Sequence, residues 1–143
     1  MRCRTGLMSI LLVLAMTGVG FAGSAIPDLK GTWVVKASGS GFVKPSESPP
    51  PKLYTEKLGF HEAEFLMIID KQDGFRFSGS RESSGKKETV AGVIGYDLKN
   101  VYMVDDDGMI MGKLVSPDKM ECIYLHVSKY HSIASREIMT RKR

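Results

Sequence analysis

The sequence predicts an all-β protein, an eight-stranded antiparallel up-and-down meander closed into a barrel. Three observations carry this expectation. From residue 62 onward, short runs rich in Val, Ile, Phe, Tyr and Met recur along the chain; such runs suit a pleated, half-buried strand. The segments between them (KQDG, SSGKK, DLK, DDG, SPDK and KYH) are turn-sized and built largely from Asp, Gly, Ser, Pro and Lys, residues that favour tight turns. Glycines fall within strand-like runs at Gly79, Gly92, Gly95 and Gly112, where glycine often marks a bend. Closure removes sheet edges that would otherwise pair with other chains.

The chain opens on MRCR, followed by an apolar run from Leu7 to Phe21 and the small residues AGSA. A basic start, a short apolar core and a small-residue exit predict a secretory signal peptide over residues 1–25. Gly23 and Ala25 occupy the −3 and −1 positions, with Ala22 as the second choice of cleavage site. The apolar run is short for a spanning helix, which needs ~20 residues. No cysteine follows it to take a bacterial lipid anchor. Residues 26–143 then form one domain, secreted or periplasmic, with no membrane span after signal removal.

The first strand is GTWVVK, 31–36. After it, residues 37–60 carry four prolines, three of them consecutive, among serines and glycines. Prolines cannot donate to a sheet, so this stretch is expected as a long loop, with a short helical turn near Leu53–Leu58. The remaining strands are read at 62–70, 75–82, 88–96, 100–105, 109–115, 120–128 and 132–140. Within 75–80, Phe75, Phe77 and Gly79 alternate with Arg76, Ser78 and Ser80, which places the first set on the core face. In 120–128, Ile123, Leu125 and Val127 share one face, and Cys122, Tyr124, His126 and Ser128 share the other.

Charge and cysteine content narrow the function. The whole chain carries a net charge of +4. Arg2 and Arg4 leave with the signal and no acid does, so +4 − 2 = +2 for the mature chain. That balance does not support nucleic-acid binding. Cys3 leaves too, and Cys122 alone cannot form an internal disulfide. A domain without that staple relies on its core.

Several residue groups invite chemistry. Asp105-Asp106-Asp107-Gly108 resembles the start of a calcium loop, but the next Glu is Glu121, too far to close one. Asp-Gly is a strong hairpin signal, so a turn is the reading here. His61, His126 and His131 match no zinc-ligand spacing. Six methionines, Met67, Met103, Met109, Met111, Met120 and Met139, lack the repeated array that copper(I) would use, and read as core filling. No nucleophile elbow, phosphate loop or nucleotide fingerprint occurs. No metal, cofactor or catalytic residue is therefore assigned.

LKGTWVV at 29–35, opening an eight-stranded meander, resembles the calycin barrels, the lipocalins and avidins. Gly31 and Trp33 match the Gly-x-Trp that starts a lipocalin barrel, and avidins open similarly with Gly-Thr-Trp. The likeness spans residues 29–141. It implies a barrel with a ligand-holding interior and a late-strand arginine packed over the tryptophan, for which Arg136 and Arg141 are the candidates. Trp33 is the only tryptophan, so the other tryptophans of a biotin pocket have no counterpart. The Thr-Asp-Tyr motif of typical lipocalins is absent as well; SKY stands at 128–130.

The functional expectation is a small barrel that binds one small, largely apolar ligand in its interior. Trp33, Phe75, Phe77, Tyr102, Tyr124 and His126 are its expected lining, and the 37–60 segment could cover the open end. The alternative is a non-catalytic module that forms a homo-oligomer through its barrel surface. An enzyme with dispersed residues ranks last, with Glu62, Glu64, Arg81, Glu82 and His126 as its ionisable groups. The turn reading of residues 105–108 predicts an unchanged melting temperature in millimolar calcium; a clear calcium-dependent rise would overturn it.

Overall fold

The structure is a computed structural model that describes residues 25–43, 59–83 and 85–143. The signal segment, the proline run and the suggested turn at 53–58 lie outside the described residues. Eight strands follow in order: β1 (Gly31–Val43), β2 (Gly59–Asp73), β3 (Arg76–Ser83), β4 (Lys86–Ile94), β5 (Asn100–Val104), β6 (Gly108–Ser116), β7 (Lys119–Val127) and β8 (His131–Arg141). Each pairs antiparallel with the next, and β1 also pairs with β8, so the sheet closes into an up-and-down barrel. Trp33 lies opposite Met67 on one side and Arg141 on the other. Among the described residues, no helix is long and apolar enough to cross a membrane.

The expected strands are all present, and β1 and β2 extend beyond their expected bounds. β1 runs on to Val43 and β2 begins at Gly59, so both ends of the 37–60 segment are strand. Gly39 and Gly41 look like loop in sequence, yet each is paired with both β2 and β8. Two ladders of backbone hydrogen bonds outweigh the weak strand preference of Gly and Ser.

Alternation decides what is buried. In β7, Met120, Cys122, Tyr124 and His126 point inward, while Glu121, Ile123, Leu125 and Val127 are exposed. The inward side chains of all eight strands make one apolar cluster with Leu29, including Trp33, Met67, Ile69, Phe77, Val101, Met103, Ile110, Met120 and Met139. Side chains of this size each contribute roughly 1.5–3 kcal/mol on burial. Four of the six methionines are in this core, and Met109 and Met111 lie outside it. Phe75 departs from the expectation: it precedes β3, at the Asp73-Gly74 turn, and stays 52% exposed.

One end of the barrel is closed by the chain just before β1. Trp33 Nε1 donates to Leu29 O at 3.0 Å. Gln72 holds the same segment, accepting from Leu29 N at 2.7 Å and donating to Pro27 O at 2.8 Å. The Arg141 guanidinium lies 4.3 Å from the Trp33 ring centre and donates to Asp28 O, Lys30 O, Pro117 O and Asp118 Oδ1. Arg141 thus takes the position over the tryptophan, and Arg136 is exposed on the outer wall.

Gly79 leaves no space for a side chain against β2, since an added Cβ would lie 1.8 Å from Ile68 O. Gly79→Ala must therefore push two strands apart. A loss of about 1–3 kcal/mol is expected, read as a lower denaturation midpoint in urea; an unchanged midpoint would contradict the packing described.

Candidate functional site

The end opposite Trp33 is built differently. Here the inward alternation of β3, Phe77-Gly79-Arg81, places a guanidinium inside the barrel, and that of β8 places Glu137 beside Met139. A buried ion needs partners at hydrogen-bonding distance. Arg81 Nη1 donates to Asp105 Oδ2 at 3.0 Å, and Nη2 donates to Glu137 Oε1 at 2.9 Å. Its guanidinium carbon is also 4.6 Å from the Phe65 ring centre and 4.4 Å from that of Tyr124, within cation–π range. The Tyr124 ring has room because Gly108 faces it; a Cβ there would lie 2.3 Å from the ring.

The acidic stretch that looks like a plain turn supplies much of this cluster. Asp105 N donates to Gly108 O at 3.2 Å, which closes the β5–β6 turn. The Asp105 side chain then turns inward to Arg81 and is fully buried. Asp107 Oδ1 lies 2.8 Å from His126 Nδ1 and 3.4 Å from the Tyr124 hydroxyl. Among the described residues, no group of three or more His, Cys, Asp or Glu is arranged to hold a metal ion.

Among the described residues, two buried side-chain polar atoms have no hydrogen-bond partner, Glu137 Oε2 and His126 Nε2. Both residues are buried, with Glu137 1% and His126 2% exposed. Asp107 occupies the Nδ1 side of the His126 ring, and Nε2 is the nitrogen left without a partner among the described residues. Burial raises the pKa of Glu137 above the usual carboxylate range, and the charge and hydrogen bond of Arg81 only partly oppose it. Burial likewise pushes the Tyr124 phenol up. The Cys122 thiol is pushed up to about 12 by burial and by Glu137, so it is no nucleophile near neutral pH.

The six expected lining residues are dispersed. Trp33 and Phe77 belong to the packed half. Tyr124 and His126 belong to the polar half. Phe75 is at the β2–β3 turn, and Tyr102 is on the outer wall, 47% exposed. Of the ionisable groups named for an enzyme, Arg81 and His126 are interior, whereas Glu62 and Glu64 are exposed and Glu82 pairs with Lys87 at 2.9 Å. The three histidines are not all independent, since His126 stacks on His131 with ring centres 4.4 Å apart. Asp105, Asp107 and Glu137 were not legible as site residues. The available signal was a charged residue on the apolar phase of a strand, as at Arg81 and Glu137.

No family model matches the chain, and no curated protein matches it in sequence. Among solved structures it is similar to a redesigned β-barrel, at 12% identity and a TM-score of 0.48, over 80% of this chain and 92% of that one. It is also similar to the S-type phycobiliprotein lyase CPES from Guillardia theta, at 9% identity and a TM-score of 0.39, over 80% and 89% of the two chains. Likenesses this distant carry no inference about activity.

Because folding raises the Glu137 pKa, its contribution to stability is full below the ordinary glutamate value and is lost as pH rises through the raised one. Glu137→Gln is expected to flatten that part of the stability–pH profile, measured by urea unfolding across the acidic to neutral range. Arg81→Met leaves two buried carboxylates without their cation and is expected to cost ~3–5 kcal/mol near neutral pH, partly recovered in acid. Equal losses at both pH values would contradict the ion cluster.

Proposed function

We propose that the protein is an exported, non-catalytic binding barrel that holds one small ligand in the polar half of its interior. The observation that carries this is the two buried polar atoms without partners among the described residues, Glu137 Oε2 and His126 Nε2, in the half of the barrel where Arg81 packs on the Phe65 and Tyr124 rings. Buried polar atoms are seldom left unsatisfied. A ligand that donates a hydrogen bond to either atom, and rests an apolar body on the ring edges, answers both features.

Space favours the same end. Continuing the inward phase of Val35 and Phe65, Ala37, Gly39 and Ala63 present small groups along β1 and β2, and Ala63 is exposed. The Trp33 half is filled by its own side chains, so the ligand body is short. The charge balance also selects. Asp105 and Glu137 pair with one arginine while Asp107 faces His126, a setting that suits a donor headgroup such as an amine or alcohol and opposes a carboxylate. The basic, apolar and small-residue pattern of residues 1–25 supports export to a secreted or periplasmic location.

A panel of short-chain probes tests this reading. Hexylamine and hexanol are expected to raise the melting temperature of the protein, hexanoate is not, and Glu137→Leu abolishes the response. If none of the three probes shifts the wild-type melt, the interior-binding proposal fails.

A further inference from the structure

The outer wall is not uniform. On β1 to β3 it is mixed: Lys36, Ser38, Glu62, Glu64, Ser78 and Glu82 stand among half-buried Val34, Leu66 and Ile68, with Phe42 and Phe60 exposed towards the strand ends. On β5 to β7 it carries Tyr102, Val104, Met109, Met111, Ile123 and Leu125, all exposed. These six form two continuous rows in the sheet register. Tyr102 is opposite Met111, Met111 opposite Ile123, and Ile123 opposite Arg136. One step along, Val104 is opposite Met109, Met109 opposite Leu125, and Leu125 opposite Ala134. A contiguous exposed apolar field of this kind marks an interaction surface.

We infer that this field is the contact between two copies of the chain, related by a two-fold axis running along the seam between β6 and β7. Such an axis exchanges the two strands, so each outward residue of one copy meets the cross-strand partner of that residue in the other. Every central pair is then complementary. Met111 meets Ile123, and Met109 meets Leu125. Lys113 meets Glu121, because these two are opposite each other at the edge of the field. One strand further out, Tyr102 meets Arg136, a tyrosine ring against a guanidinium. No like charges face each other across these pairs. Self-complementarity in both charge and apolar surface is what selects a second copy over an unrelated partner. The flexible thioethers of Met109 and Met111 adapt readily to a facing surface. A groove of about 900 Å³ reaches the same seam from the β1 side, lined in part by Lys113, Glu121, Ile123 and Arg136.

Charge reversal tests the axis directly. Sedimentation velocity of the purified protein is expected to show twice the monomer mass. Lys113→Glu sets two acids against each other across the seam, twice per dimer, and Glu121→Lys sets two lysines. Each variant is expected to weaken the dimer about tenfold or more, since opposed like charges cost several kcal/mol, while its circular dichroism stays that of a folded barrel and its melt remains cooperative, shifted down slightly by the like pair now opposite within the sheet. Mixing the two variants restores complementary pairs at both positions and is expected to restore the dimer. A monomeric wild type at the highest concentration reached overturns the inference. So does a dimer that survives either reversal, or a mixture that stays monomeric.

Discussion

Closure through β1 is the constraint on which the rest of the structure depends. This one strand carries hydrogen-bond ladders to both β2 and β8, and without it the sheet would have two open edges and one solvated face. Once the sheet closes, half of every strand faces an enclosed interior, and each inward residue must pack or find a partner. At the Trp33 end the interior is met with apolar volume. At the other end it is met with ions. An arginine enclosed there brings two carboxylates with it, and the short β5–β6 turn is what delivers one of them.

The strand count, the turn chemistry and the Asp-Gly positions were legible because each depends on neighbours within a few residues. The loop boundary was less so. Gly39-Ser40-Gly41 has the composition of a linker, and only its two flanking strands make it part of the sheet. The ion cluster was least legible. Arg81 is 24 residues from Asp105 and 56 from Glu137, and no local pattern joins them. Their meeting follows from the register around the barrel. Tyr102 shows the converse limit, since an aromatic residue in a strand reads as core until the phase of its neighbours is fixed.

The two ends of the barrel divide the work of the fold. Leu29, Trp33, Gln72 and Arg141 tie the entering chain to the last strand and seal one end. The packed half beneath it needs no ligand for its integrity. The polar half holds two buried polar atoms with no partner among the described residues, beside small residues on β1 and β2. Interior and exterior also differ in kind: the polar end inside is lined by hydrogen-bonding and charged groups, whereas the outer field on β5 to β7 is apolar area framed by opposite charges.

Cys122 gives the molecule an internal clock. Its sulfur points inward between β6 and β8, 4.0 Å from Met139 Sδ, and its thiol stays protonated at ordinary pH. The residue is only 4% exposed, so an alkylating reagent reaches it fully when those strands part. The mature chain read from the sequence contains no other cysteine, so the labelling rate reports the frequency of barrel breathing without any added probe.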